Sequence, residues 1–353
     1  MATQKHKGAP VYFETSLFKK LNAFLKKEKY SRLIVLADEN TIINCYPPLA
    51  QNCLAIQKAD ILEIEAGENF KTLDTCKELW ETLSEAQVDK NTLLINLGGG
   101  VLTDLGGFVA SVYKRGVDFI HIPTTLLAMA DASIGGKCGV DLNSIKNSLG
   151  TITEPKAVFI NTAFLNTLPQ RHLANGIAEI IKMAFIADAT MIKSLFGKNT
   201  LIEPLIKKSV AHKLKIVAKD PTDKGVRKIL NFGHTIGHAI ESYLLGTKDE
   251  LLHGEAIAIG MFIESLIAFD KKMIKDLELQ TIIELIKPNY DVLEFTLDEQ
   301  KKIIEFMQHD KKNKNNTIRM SLITKLGSCK FDVEVTLAQI QKAFKTYHTI
   351  IGA

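Results

Sequence analysis

Leu93-Leu94-Ile95-Asn96-Leu97-Gly98-Gly99-Gly100 decides the fold class. An apolar run of strand length ends in three glycines, and a helical stretch follows from Leu102 to Tyr113. The same alternation extends outward in both directions. Leu33 to Leu36, Ile61 to Ile64, Phe119 to Ile122 and Ala157 to Ile160 are short apolar runs rich in β-branched residues. Helical stretches separate several of them, such as Lys71 to Leu83. Buried strands alternating with helices predict a parallel α/β sheet covered on both faces.

From about Leu168 long helical stretches take over: Arg171 to Ile186, Ile202 to Ala218, Ile229 to Leu245 and Gly254 to Phe269. The last is apolar nearly all round and reads as a core helix. A β-like stretch, Ile318 to Ile323, and an amphipathic helix from Leu337 to Tyr347 close the chain. The boundary is expected at 168/169, by the turn at Pro169, giving domains 1–168 and 169–353. The polar run Lys311 to Asn316 reads as an exposed loop.

A chain of 353 residues suits two packed domains. Its 46% hydrophobic and 24% charged residues are an ordinary globular balance. The net charge of +4 is spread along the chain, which argues against a nucleic-acid partner but suits an anionic substrate held by converging Lys and Arg. Five cysteines, with no C-x-x-C pair, argue against a disulfide framework or a thiolate zinc site. Neither a signal-peptide pattern nor an apolar run of membrane-spanning length is seen. A cytoplasmic protein with reduced thiols and no membrane partner is the expectation.

Gly98-Gly99-Gly100 lets backbone N–H groups approach a pyrophosphate at a helix N-terminus. It is not the G-x-G-x-x-G fingerprint, and a tight turn explains it equally well. Asp38 and Asn40, and Thr124 and Thr125 after Pro123, stand at strand ends where α/β sheets place ligands. Helix capping accounts for Thr125 and Asp104 about as well. Asp131-Ala-Ser-Ile-Gly-Gly-Lys137 resembles a phosphate cradle, although the Walker A spacing is absent.

His234 and His238 are four apart in a helical pattern and share a face. That spacing suits two zinc ligands, or one ligand and one acid–base group. Two hydrogen-bonded core histidines are the ordinary explanation. The context favours a site: His253-Gly254-Glu255 opens the next helix, and Glu179 and Lys182 share one face of an apolar helix. Buried, those charges need partners, and a metal is one. Two His and one carboxylate make an open three-ligand site of the kind catalytic zinc uses. Arg227 and Asn231 lie one turn apart on what reads as the same helix face as His238.

Together these segments resemble the 3-dehydroquinate synthases of the sugar phosphate cyclase superfamily. The resemblance runs from about Asp38 to Lys312. It rests on Gly98-Gly-Gly-Val-Leu-Thr-Asp104, Tyr113-Lys-Arg115-Gly, Ile122-Pro-Thr-Thr-Leu-Leu127, Asp131 to Lys137, Leu168-Pro169, Ala178-Glu-Ile-Ile-Lys182, Asn231-Phe-Gly-His-Thr-Ile-Gly-His-Ala-Ile-Glu241, His253-Gly-Glu-Ala256 and Asp310-Lys-Lys312. It implies an N-terminal Rossmann-like parallel-sheet domain, a mostly helical C-terminal domain, and an active site in the cleft between them.

The resemblance assigns Glu179, His234 and His253 to a divalent metal, zinc or cobalt. It leaves His238 to acid–base or phosphate work. It places Asp131, Lys137, Lys182, Lys213, Arg227, Asn231, His238 and a lysine of the Asp310–Lys312 block, taken as Lys311, at substrate positions. Asp38, Asn40, Glu68, Lys71, Gly99, Gly100, Asp104, Thr124, Thr125, Lys137, Lys146, Asn147 and Thr167 match NAD-binding positions. Arg115 matches an arginine that enters a neighbouring subunit's pocket, so a homodimer is implied. Asp223 stands where the family often has Glu, and Ser148 where a bulkier residue is common.

The implied substrate is a phosphorylated sugar acid, 3-deoxy-arabino-heptulosonate 7-phosphate. The implied reaction is transient oxidation by NAD, phosphate elimination, re-reduction and aldol closure to 3-dehydroquinate. A sister sugar phosphate cyclase and a metal- and NAD-dependent polyol-phosphate dehydrogenase of the same architecture are the rival readings. A non-catalytic NAD-binding protein is a third, and it would have lost a ligand or a pocket lysine.

Overall fold

The computed structural model describes residues 8–15, 17–142, 145–197, 201–308 and 317–352. The chain forms two compact units, Met1–Leu173 and Ala174–Ala353.

The first unit contains, in chain order, β1 (Val11–Phe13), α1 (Lys19–Lys27), β2 (Arg32–Asp38), α2 (Glu39–Asn44), α3 (Tyr46–Asn52), β3 (Asp60–Ile64), α4 (Leu73–Glu85), β4 (Thr92–Gly98), α5 (Gly100–Val112), β5 (Asp118–Pro123), β6 (Lys137–Leu142), β7 (Ile145–Ile152) and β8 (Val158–Ile160). Six strands make one parallel sheet in the order β1-β8-β5-β4-β2-β3. Every residue of β4 is buried, as a central strand covered on both faces requires. The edge strand β3 is only partly covered. The sequence runs foresaw five of these strands. They did not foresee β1 or the antiparallel β6–β7 hairpin, whose glycines at 139 and 150 pack backbone against backbone.

The second unit contains α6 (Gln170–Ile186, its first turn in the first unit), α7 (Ile192–Leu195), α8 (Ile202–Lys219), α9 (His234–Leu244), α10 (His253–Asp270), α11 (Asp276–Ile286), α12 (Leu297–Gln308), the antiparallel pair β9 (Thr317–Lys325) and β10 (Ser328–Thr336), and α13 (Leu337–Ile351). Helix α10 is the hub, with Ala256 to Ala268 buried without interruption. It is the core helix the apolar sequence pattern predicts. No helix among the described residues is long and apolar enough to cross a membrane.

One expectation is corrected here. Ile229 to Leu245 is not one helix. A 3-10 helix spans Val226–Asn231, and α9 begins anew at His234. Gly233 between them has φ 80°, a left-handed conformation that closes one helix and opens another. Arg227 and Asn231 therefore sit on a separate element and not on the His238 face of α9.

Glycine also decides how α9 meets α10. A Cβ on Gly260 would stand 2.0 Å from the Gly233 carbonyl oxygen and 2.7 Å from the Gly237 nitrogen. With no side chain there, the two backbones come into contact.

Candidate metal centre and active site

Three helices of the second unit each contribute to one buried cluster. α6 carries Glu179, 1% exposed, and Lys182 one turn later, also 1% exposed. The first turn of α9 carries His234, with His238 a turn beyond, and α10 opens with His253. The three imidazole rings lie 5.0 to 5.5 Å apart, centroid to centroid. Their ligand-capable nitrogens all lie within 4.8 Å of one another.

Glu179 Oε1 lies 3.6 Å from His234 Nε2 and 3.5 Å from His253 Nε2. Ligands about 2.1 Å from a tetrahedral zinc are separated by about 3.4 Å, so these spacings match the edges of such a site. The opposite ring nitrogens are anchored. His234 Nδ1 lies 3.1 Å from the Phe232 carbonyl, and His253 Nδ1 lies 3.2 Å from Glu241 Oε2. An N–H at each Nδ1 would leave Nε2, on the Glu179 side of each ring, to give its lone pair to a metal. Neither buried oxygen of Glu179 accepts a hydrogen bond, although the Lys182 ammonium is in ion contact with Oε2. A divalent cation would satisfy Oε1, which faces both Nε2 atoms without a hydrogen bond, so the residues fit a metal.

The electrostatics agree. Burial opposes charge on Glu179, but Lys182 and His253 overcome it and hold the carboxyl down at about 2. Burial, reinforced by Lys182 and the other two histidines, drives His234 well below its usual value. Burial also opposes the charge on His253, yet Glu241 and Glu179 raise it to about 10. The cluster therefore holds a carboxylate and a neutral imidazole at neutral pH. A bound metal would displace the proton from the third member.

The pocket residues of this unit are placed by their own local devices. Asp220 accepts the backbone N–H groups of Lys224, Gly225 and Arg227 at 3.1, 2.7 and 3.0 Å, which shapes the loop leading into the 3-10 helix. Arg227 is 2% exposed and donates through Nη1 to the Pro221 carbonyl. Asp223, the shorter carboxylate, takes a positive φ of 57°. Lys213 is buried on α8, and Asn231 is half-buried at the end of the 3-10 helix. Lys311 and its neighbours lie outside the described residues.

In the first unit, Glu68, Lys71, Asp104, Lys146 and Asn147 form one net. Lys71, 3% exposed, donates to Asp104 Oδ2 at 2.7 Å and Asn147 Oδ1 at 2.6 Å. Lys146 donates to Glu68 Oε1 at 2.9 Å. Burial alone would lower the Lys71 ammonium, but Asp104 and Glu68 hold it above its usual value. Gly99 and Gly100 open α5 directly after β4, and a Cβ on Gly99 would meet Thr125 at 3.0 Å. Thr124 donates its backbone N–H to the Gly98 carbonyl, and Thr125 accepts from Ala128. Asp38 ends β2 and caps α2 by accepting from Thr41; Asn40 beside it is exposed. Asp131 is half-buried, and Lys137 and Arg115 are exposed. Thr167 Oγ1 donates to the Phe164 carbonyl, so its hydroxyl closes a turn.

Sequence reasoning missed three supporting acids and one amide. Asp141 accepts the Asn147 N–H at 2.6 Å, Glu241 anchors His253, and Asn175 accepts the Gly254 N–H at the start of α10. Glu264 accepts two backbone N–H groups at the start of α9. Glu264 left a signal, as the lone charge in the apolar stretch Ala256–Ala268.

A family profile described as 3-dehydroquinate synthase N-terminal matches residues 61–175, and its C-terminal counterpart matches 176–313. The chain belongs to the 3-dehydroquinate synthase family. It is 38% identical over 338 residues to a 3-dehydroquinate synthase of Parabacteroides distasonis, covering 94% of this chain and 96% of that one. A 3-dehydroquinate synthase of Helicobacter pylori is 35% identical over 326 residues, or 92% and 94% of the two chains. Among solved structures, a 2-epi-5-epi-valiolone synthase from Streptomyces hygroscopicus subsp. jinggangensis, with NAD+ and Zn2+ bound, superposes with a TM-score of 0.86. That pair is 27% identical over 99% of each chain, below the identity to the dehydroquinate synthases.

Proposed function

We propose that this enzyme converts 3-deoxy-arabino-heptulosonate 7-phosphate to 3-dehydroquinate and phosphate by transient oxidation, phosphate elimination, re-reduction and intramolecular aldol closure. The observation that carries the reading is Glu179 Oε1 facing two anchored histidine Nε2 atoms at 3.5 and 3.6 Å. Glu179, His234 and His253 would hold the metal. When bound, NAD supplies a reversible hydride acceptor, and zinc or cobalt supplies a Lewis acid.

The chain's own residues do the rest. Lys182 places a positive charge beside the metal ligands, where an anionic oxygen gains most from it. His238, a turn past His234, moves protons and faces phosphate. Arg227, Lys213 and Asn231 orient the carboxylate and hydroxyls of the sugar acid, with Lys311 completing the set. Asp131 and Lys137 are further substrate residues on the family resemblance. Residues 1–168 bind NAD through the Lys71 net, the Gly99–Gly100 helix start, Asp38, Asn40, Thr124, Thr125 and Thr167. Residues 169–353 bind metal and substrate. The enzyme works as a homodimer, with the exposed Arg115 serving the neighbouring subunit, and it resides in the cytoplasm, which suits its free thiols.

The test combines purified protein, NAD, divalent metal and the heptulosonate phosphate, and follows phosphate and dehydroquinate. Catalytic NAD with no net NADH is expected. Absence of phosphate release, or NADH accumulating in step with enzyme, would sink the cyclase reading. His234→Ala is expected to lose metal and turnover, and His238→Ala to lose turnover but keep metal. Metal loss in His238→Ala would overturn the division of the two histidines.

A further inference from the structure

Glu264 lies on α10, eleven residues after His253, and is fully buried. At 1.5 Å per residue it stands about 16 Å along the helix from the metal cluster's own α10 residue. Its carboxylate reaches the start of α9 instead. Oε2 accepts the Gly233 N–H at 2.6 Å and Oε1 accepts the Ile236 N–H at 3.1 Å.

A helix start leaves its first N–H groups without intrahelical partners, and a nearby side chain usually satisfies one. Helix α9 cannot do this itself, because its cap position is Gly233, which has no side chain. Glu264 supplies the missing cap from a different helix, with both oxygens in use. The two amides it holds flank His234 in sequence. The geometry therefore fixes the turn that projects His234, and through it the register of His238 one turn on.

We propose that Glu264 is a positioning residue of the metal centre, capping α9 so that His234 is set for metal before the ion arrives. This rests on the reading of Glu179, His234 and His253 as ligands. Isosteric Glu264→Gln keeps one acceptor but turns an NH2 group against a backbone N–H. Glu264→Met removes both acceptors at similar volume. Either leaves the α9 turn free to shift while the three ligands remain in the chain.

The experiment strips metal from full-length enzyme and measures zinc affinity by competition with a chromophoric chelator. Wild type, His234→Ala, Glu264→Gln and Glu264→Met are compared, with thermal unfolding of each metal-free form alongside. Zinc binding is expected to weaken about tenfold in Glu264→Gln and towards a hundredfold in Glu264→Met, the range seen when residues supporting metal ligands are lost. Lowered melting with zinc affinity within threefold of wild type makes Glu264 a structural cap only and overturns the proposal. Equal zinc binding by wild type and His234→Ala overturns the ligand reading and this inference with it. Should the Glu264 variants not fold, hydrogen exchange on wild type decides. The Gly233 and Ile236 amides are expected to be protected equally with and without zinc. Protection that arises only on adding zinc overturns the proposal.

Discussion

Replacing Gly260 with alanine adds one methyl group where α9 and α10 touch backbone to backbone. The new Cβ would stand 2.0 Å from the Gly233 carbonyl oxygen, 2.7 Å from the Gly237 nitrogen and 2.9 Å from its Cα. Close carbon–oxygen contacts in proteins run at about 3.3 Å, so α9 must retreat by roughly 1 Å. None of the three atoms belongs to a side chain that could rotate away. The cost of such overpacking is about 1–3 kcal/mol, and rigid backbone partners place this case near the upper end. For a unit of this size that lowers the melting temperature by roughly 5–10 °C. The larger effect falls on the site. His234 and His238 travel with α9 while His253 stays on α10, and metal ligands tolerate only about 0.2 Å. Zinc affinity and turnover should each fall by about a hundredfold, since misplacement by about 1 Å costs that much in positioned chemistry. Circular dichroism melts with and without zinc, chelator competition and phosphate release measure the three effects. A Gly260→Ala enzyme with wild-type melting and zinc affinity within threefold would refute the reasoning.

Glu241→Gln weakens the acceptor behind His253 Nδ1, so zinc affinity should drop by about ten- to a hundredfold; chelator competition reads it, and no change would remove Glu241 from the site. Lys71→Met breaks a buried ion pair and should destabilise the protein by about 3 kcal/mol in urea. NAD affinity should also fall at least tenfold by calorimetry, and unchanged NAD binding would make the net purely structural. Burial pushes His121 down to about 3, against about 6.5 in an unfolded chain. The unfolded state thus binds the extra proton between those values. The contribution of a neutral His121 is complete above pH 6.5 and is lost as pH falls towards 3, roughly 2 kcal/mol by pH 5. His121→Gln should flatten the urea stability difference between pH 7 and pH 5 by that amount, and an identical pH slope in both proteins counts against it.

Much of the fold was legible because burial leaves a simple trace. β4 and α10 are both covered on all sides, so both read as uninterrupted apolar runs whose length separates strand from helix. The β6–β7 hairpin left no such trace, since its contacts are made by glycine backbones at 139 and 150. The break at Gly233 was hidden for a related reason. Apolar spacing continues through Ile229, Leu230, Phe232 and Ile236, all of them buried, although the chain changes element among them. Glu264 was visible as a lone charge in an apolar helix, but its partners lie 28 and 31 residues away and are backbone groups, which carry no sequence identity.

The proposed division between His234 and His238 shows where periodicity stops carrying information. A spacing of four places both rings over one face, and nothing in that distance separates a ligand from an acid–base group. The contacts that orient the two proposed ligands, His234 and His253, come from elsewhere in the chain. His234 is turned by the Phe232 carbonyl in its own chain, and His253 by Glu241 from α9. Both then present Nε2 to the same oxygen of Glu179, which belongs to a third helix. The decisive contacts are thus one backbone carbonyl and two carboxylates on separate helices. Only the folded convergence of α6, α9 and α10 creates them. It follows that the proposed ligand set depends on the α9–α10 contact as much as on its own residues. A single methyl at Gly260, which touches none of the ligands, is therefore the sharpest probe of the site.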